Sequence, residues 1–501
     1  MADGNHRVVE RAARLARKAR QEIGVATGHA IGTTVDRVVV DHHVRRLRKV
    51  GWDHVFDAPA GGWAEGGTPP REGNSVEVLI DGVQFLPLAA EELAQAQSHI
   101  HITGWYFSPE LALTRDEDPV TVRNLLAELA ERIPVRVLIW SGAPVRVFSP
   151  TRGDVRDMVE RFCRGTQITC EFDNCVRFWH CHHEKTIVID DRVAFVGGID
   201  LTYDGGDPYD SPEHKARGGV GWHDIATRLR GPIVADVAEH FRLRWHGTTN
   251  EELPPPAVPE PAGDVTVQLV RTIPESIYEQ NLPRGDFSML ESYVRAIRSA
   301  ERFIYIENQF LWSPEIVELL AEKLHSPPRD DFRMIVLLPV NANDGADVSR
   351  GQVASLIHAD DDNGRFLACS VYARVGTLHD PIYVHAKIAI VDDRWLTVGS
   401  TNLNEHSLFN DSEVNVVVHD EELARETRLR LWSEHLELPI DEIRDEAPAE
   451  TFDRRWMPMA EEQLERLRDD AHLTHRLVML PGVSVKHRRI LGALEGRLYD
   501  A

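Results

Sequence analysis

Two histidine–lysine pairs set the chemistry open to this chain. His183-Glu184-Lys185-Thr186-Ile187-Val188-Ile189-Asp190 and His385-Ala386-Lys387-Ile388-Ala389-Ile390-Val391-Asp392 share the form H-x-K-x-x-x-x-D. Fourteen residues after each histidine comes a glycine turn, Gly197-Gly198-Ile199-Asp200 in the first copy and Gly399-Ser400-Thr401-Asn402 in the second. One offset of 202 residues, from 183 to 385, aligns motif, strand and turn. A lysine brings a point charge and donors to a phosphate, and a histidine brings a nucleophile or proton carrier. Two such copies facing each other place two imidazoles on opposite sides of one phosphorus.

The elements that position these pairs follow from pattern. Ile187, Val188 and Ile189, like Ile388, Ile390 and Val391, form β-branched apolar runs and predict buried strands. On a strand, residues i and i+2 share a face, so His183 pairs with Lys185 and His385 with Lys387. The run His180-Cys181-His182-His183 invites a metal reading, but neighbours on a strand alternate faces and the four cannot converge on one ion.

The rest of the chain repeats the same plan. Val76, Val78 and Ile80 predict a strand before the turn signal Asp81-Gly82, with a helix over about 86–97. Strands are predicted over 99–107 and 135–140, a helix over 120–132, a strand opening at Trp222-His223-Asp224, and a closing helix from Pro232 to Trp245. The second half returns with Val265–Arg271, a helix over 289–299, and strands at 303–310, 332–339 and 413–418. Alternating strands and helices predict an α/β fold of two similar α/β/α layered halves, related by a pseudo-two-fold axis with the site on it. The predicted organisation is a basic helical segment and loop (1–72), a first repeat (73–250), a proline-rich linker (251–264), a second repeat (265–440) and a C-terminal extension (441–501).

Composition narrows the partners. The 501 residues allow two or three domains, and 42% hydrophobic with 27% charged residues is ordinary for a soluble chain. A net charge of −24 argues against a general nucleic-acid binder. The five cysteines, four of them bunched at 163, 170, 175 and 181, do not match a paired zinc spacing and are expected to be reduced packing residues in a cytoplasm-like compartment. No apolar run reaches the roughly 18–20 residues of a membrane span, and the start lacks the apolar core of a signal peptide. Residues 6–50 are basic and weakly amphipathic, with Arg45, Arg46, Arg48 and Lys49 as a second cluster. They are either an anchor on an anionic membrane face or a helix packed on the first repeat, and packing is favoured. The close of the chain, with Arg476, Lys486, His487, Arg488 and Arg489, is a docking tail or a second lipid-facing patch.

These motifs resemble the phospholipase D superfamily over roughly residues 75–440. Ile304-Tyr305-Ile306-Glu307-Asn308-Gln309-Phe310 is similar to a stretch of its lipid-acting branch, as are Phe195–Leu201 and Ile382–Lys387. The resemblance implies a metal-free, cofactor-free ping-pong transfer, with His183 as nucleophile forming a phosphohistidine and His385 as acid/base. It implies that Lys185 and Lys387 hold nonbridging oxygens, that Ser400 and Asn402 add neutral donors, and that Asp224 and Glu413 orient the imidazoles. The first copy departs at Gly198 and Asp200, where Asp200 is expected to cap structure or touch a head group. Asp190 and Asp392 are expected to be turn or salt-bridge residues. The implied substrate is a glycerophospholipid, with water or an alcohol as acceptor, for a monomer touching the inner membrane face from the cytoplasm. Competing readings are a cardiolipin-synthase-like transferase, a nucleic-acid phosphodiesterase and a scaffold with a dead site. The acidic balance and the intact His and Lys pairs speak against the last two.

Overall fold

The computed structural model describes residues 36–144, 150–176, 180–203, 221–278, 281–340 and 346–481. Among the described residues, eight strands lie in the first half: β1 (Arg71–Ile80), β2 (Ile100–Gly104), β3 (Val135–Trp140), β4 (Thr169–Asp173), β5 (Thr186–Ile189), β6 (Val193–Gly197), β7 (Gly221–His223) and β8 (Ile225–Arg230). Nine follow: β9 (Val265–Thr272), β10 (Phe303–Asn308), β11 (Arg333–Leu337), β12 (Phe366–Val375), β13 (Leu378–Val384), β14 (Lys387–Val391), β15 (Trp395–Gly399), β16 (Glu413–Val418) and β17 (Leu477–Met479).

The same pairing order is built twice. In the first half it runs β4-β3-β2-β5-β6-β8-β1, parallel from β4 to β2 and antiparallel thereafter. In the second it runs β12-β11-β10-β14-β15-β16-β9, with the same change of sense. β1 and β9 pair antiparallel and join the two sheets. The central strands are buried on both faces, as their unbroken apolar runs require. On β5, Ile187 and Ile189 face a core with the helices Asp81–Ala94, Val122–Ala130 and Arg152–Cys163, while Val188 faces a core shared by both halves. β14 repeats this: Ala389 and Val391 pack outward against the helices Ser288–Ser299 and Pro314–His325, and Ile388 and Ile390 face the shared core.

β7 breaks the symmetry of the sheets. It leaves its own half and pairs parallel with β13, with Trp222 opposite Tyr383 and His223 opposite Val384. Between the halves, residues 251–264 carry no helix or strand.

Three local expectations change. Asp81-Gly82 is no turn: Asp81 takes a left-handed φ of 60° and opens the helix Asp81–Ala94. The C-terminal extension is largely core, since Ile443, Phe452, Trp456, Ala460 and Leu477 are buried in the shared cluster and β17 extends the second sheet beside β12. Arg476 is therefore buried among Glu434 and Glu437 rather than lipid-facing. In the helix over residues 36–50, Leu47 is buried and Arg46 binds Glu275 and Asn410, so this portion is a packing element as favoured, but it is seated on the second repeat rather than the first. Residues 1–35 and the basic cluster at 486–489 lie outside the described residues.

Candidate active site

Each motif enters its strand late. β5 begins at Thr186 and β14 at Lys387, so both histidines stand on the lead-in rather than on the strand. Backbone from the opposite half holds each lead-in. His183 N donates to Ser412 O at 3.1 Å, and His385 N donates to His223 O at 2.8 Å.

The carboxylates cross over in the same way. His183 Nδ1 lies 3.0 Å from Glu413 Oε1, at the start of β16. His385 Nδ1 lies 2.6 Å from Asp224 Oδ2, between β7 and β8. Each half thus supplies the acid that aims the other half's imidazole, leaving Nε2 as the outward nitrogen. The charges of His183 and Lys185 both act on His385, and Lys185 acts on Lys387, so the motifs form one cluster.

The two lysines are held differently. Lys185 Nζ donates to His183 O at 2.6 Å and pairs with Asp200 Oδ2 at 3.0 Å. Asp200 also accepts from Trp105 N at 3.1 Å, so the acidic residue of the first glycine turn serves Lys185 and a loop. Lys387 Nζ donates to His385 O and reaches Gln309 Oε1 at 3.3 Å. Burial lowers the Lys387 ammonium to about 7, with Asp224 opposing and Lys185 adding to the effect. Burial raises the Asp224 carboxyl to about 7 against the pull of Lys387. It lowers the His385 imidazole well below its usual range, aided by Lys387, Lys185 and His183.

The glycine turns explain their own asymmetry. Ser400 Oγ donates to Glu413 Oε2, and Val414 N donates back to Ser400 Oγ at 3.1 Å. The serine hydroxyl expected for a phosphate is committed to the orienting acid. In the first half the acid is the shorter Asp224, and a Cβ on Gly198 would meet Asp224 Oδ1 at 2.2 Å. Serine with glutamate and glycine with aspartate are two solutions to one packing problem. Asn402 is buried, and its Oδ1 has no hydrogen-bond partner among the described residues.

Asp190 and Asp392 stand outside this cluster, each in the left-handed region with φ of 57° and 56°. Asp190 accepts from the backbone N–H groups of Gln97, Ser98 and His99, and Asp392 from those of Glu301, Arg302 and Phe303. They clamp the loops that lead into β2 and β10.

Two buried networks behind the histidines were not expected from sequence. Glu184 binds His240 Nε2 at 2.6 Å and Arg244 Nη1 at 2.7 Å, and Arg244 also reaches Asp173 and, at 2.6 Å, Ser412 Oγ. Burial alone would raise the Glu184 carboxyl, but Arg244 and His240 hold it well below the usual range. On the other side His223 bridges Asp81 (2.8 Å) and Glu307 (2.7 Å), and Glu307 also meets His435 at 3.1 Å. Helical spacing put His240 and Arg244 on one face, the only local signal.

A family model described as "Phospholipase D" matches residues 92–221 and 217–315, and one described as "Cardiolipin synthase, PLD-like domain" matches residues 293–433. The chain belongs to the phospholipase D superfamily. It is 27% identical over 466 residues to Phospholipase D A of Dictyostelium discoideum, covering 74% of this chain and 36% of that protein. It is 26% identical over 485 residues to Phospholipase D alpha 4 of Arabidopsis thaliana, covering 68% of this chain and 62% of the relative. The chain thus spans about a third to two thirds of the length of these curated relatives. Among solved structures, phosphatidylserine synthase of Haemophilus influenzae Rd KW20 aligns with a TM-score of 0.48 and 13% identity, over 85% of this chain and 98% of that one. No helix of the described residues is long and apolar enough to cross a membrane.

Proposed function

We propose that the chain cleaves the head-group phosphodiester of glycerophospholipids and passes the phosphatidyl group to water or an alcohol through a phosphohistidine. The observation that carries this reading is the exchange of acids, His183 with Glu413 and His385 with Asp224. It aims two imidazoles from opposite halves into one lysine-lined cluster.

In this reading the Glu413 carboxylate holds the proton of His183 on Nδ1, so Nε2 offers a lone pair to phosphorus. The bond from phosphorus to the head-group oxygen breaks as the bond to Nε2 forms. His385 Nε2 gives its proton to the leaving alkoxide. The raised Asp224 carboxyl supports this role, because a protonated partner at Nδ1 leaves the exchangeable proton on Nε2. Water or an alcohol then loses its proton to His385 and displaces His183. Lys185 and Lys387 stabilise the charge on the nonbridging oxygens. An arriving phosphate favours the charged form of Lys387, which the free site holds near neutrality.

Curated relatives named phospholipase D support hydrolysis. The cardiolipin synthase description over residues 293–433 favours a second reading, phosphatidyl transfer to a glycerol-type alcohol at the same site. The fall of charge to −24 works against a nucleic-acid substrate. Turnover of phosphatidylcholine and phosphatidylglycerol in the presence of ethanol tests the covalent route. Phosphatidylethanol should form at the expense of phosphatidic acid, and its absence at high ethanol would refute a partitioning intermediate. Replacing ethanol with phosphatidylglycerol or glycerol separates hydrolase from transferase.

A further inference from the structure

We propose that His180, His406 and Asp411 form a binding site for a divalent transition cation of the zinc class, which clamps the two halves together beside the catalytic cluster. Their ligand atoms all lie within 4.8 Å of one another. His180 Nδ1 is 3.5 Å from His406 Nδ1 and 3.5 Å from Asp411 Oδ1. These separations are long for hydrogen bonds, which centre near 2.9 Å for nitrogen donors (roughly). They match the edge of a tetrahedron around zinc, about 3.4 Å for ligand bonds near 2.1 Å. Two imidazoles and a carboxylate are a donor set suited to zinc, with the fourth corner left to water.

The backbone presents these ligands in a defined way. His406 opens and Asp411 follows a single π-helical turn, His406–Asn410, closed by Asp411 N donating to His406 O at 2.7 Å. Such wide turns recur at functional sites. The turn is anchored by Phe409, which is fully buried and stacks on His43 at 3.8 Å. His180 and Asp411 are both buried, and Asp411 Oδ1 also accepts from Cys181 N at 2.8 Å, which fixes the carboxylate. Of the run 180–183, His180 meets His406 and Asp411, 226 and 231 residues further along the chain, and the Cys181 thiol also lies against the Asp411 side chain.

The consequence for the chain is mechanical. Ser412 N donates to Cys181 O, and His183 N donates to Ser412 O, so residues 180–183 and 411–413 lie side by side. A cation held by His180 and Asp411 ties together the segments that carry His183 and its orienting Glu413. It is a staple across the halves and takes no part in bond breaking.

The test uses the full chain with any affinity tag removed, stripped with a chelator and titrated with zinc chloride alone by calorimetry. One zinc per chain should bind with sub-micromolar affinity, and cobalt(II) should give the visible absorption of a tetrahedral site. His406→Gln and Asp411→Asn should each weaken zinc by roughly 100-fold. Zinc should raise the melting temperature of the parent chain, and both variants should lose that rise. His183→Gln and His385→Gln should leave zinc affinity unchanged. Absence of stoichiometric binding, binding that survives both His406→Gln and Asp411→Asn, or binding lost in His385→Gln would each overturn the proposal. Parent-like far-ultraviolet dichroism of either His406→Gln or Asp411→Asn keeps the comparison on binding rather than folding.

Discussion

The Nδ1 atom of His183 sits 3.0 Å from the carboxylate of Glu413, a residue 230 positions further along the chain. This contact holds the imidazole in one tautomer and one direction. Glu413→Gln keeps the shape and removes the charge, so turnover should fall by roughly 10²–10⁴-fold with little change in KM. Steady-state kinetics on a phospholipid panel checks this. A variant within threefold of the parent would show that Glu413 does not orient the nucleophile.

His183→Ala and His385→Ala should each lower turnover by about 10³-fold or more. Their difference lies in the covalent species. Quenching in alkaline denaturant, which preserves the phosphorus–nitrogen bond, followed by mass spectrometry should find phosphorylated or phosphatidylated imidazole at His183 and none at His385. Label on His385 alone would reverse the roles assigned to the pair.

In the proposed mechanism Lys387 makes the reaction pH-dependent. Its ammonium is lowered to about 7, so the cation that grips phosphate is present below that pH and lost above it. The value of kcat/KM should therefore fall as pH rises through about 7, by up to tenfold per unit. Asp224, raised to about 7, loses its proton over the same range and adds to the fall. In Lys387→Arg, whose charge persists, the part of this limb due to Lys387 should disappear even if the maximum rate is lower. A flat parent profile from pH 6 to 9 would contradict the assignment.

Gly198 should be intolerant of the smallest side chain. A Cβ there meets Asp224 Oδ1 at 2.2 Å, so Gly198→Ala must push the carboxyl off His385. An error of this size in a positioning group costs about 10²-fold in rate. The kinetics of Gly198→Ala beside Gly153→Ala, whose position has only a hydroxyl at 3.6 Å, give the comparison. Equal rates would remove the steric account of the glycine.

Arg244 carries a structural load distinct from catalysis. It is fully buried between Asp173 and Glu184. Arg244→Met leaves two buried carboxylates without their counter-charge and should destabilise the chain by about 3–5 kcal/mol. Urea unfolding measures it, and a loss under about 1 kcal/mol would mean the acids find other partners.

How far the sequence reaches depends on separation along the chain. The duplicated sheet was legible because β5 and β14 write their burial into unbroken runs, Ile187–Ile189 and Ile388–Val391, and the repeat appears at one fixed offset. Family resemblance supplied Asp224 and Glu413 as acidic partners, but not the exchange between halves, since a linear motif carries no information on which strand lies opposite. Asp81-Gly82 read as a turn because both residues favour left-handed backbone. That conformation is present, yet it opens a helix and aims Asp81 at His223, 142 residues away. Ser400 was assigned to phosphate by position. Only the three-dimensional placement of Glu413 shows where its hydroxyl goes. The networks around Glu184 and Glu307 join residues far apart in the chain, and the i, i+4 spacing of His240 and Arg244 is the one local trace of them.

The crossing of acids between the halves also bears on what a broken chain can do. A fragment ending in the proline-rich connector would keep a histidine and a lysine yet lack the group that aims them. Cleavage there can leave a whole enzyme, while the pieces still cling along β1 and β9 and across β7 and β13, or an inert one. In the proposed mechanism, a half-working phosphotransferase, free to attack stray esters, is not among the products.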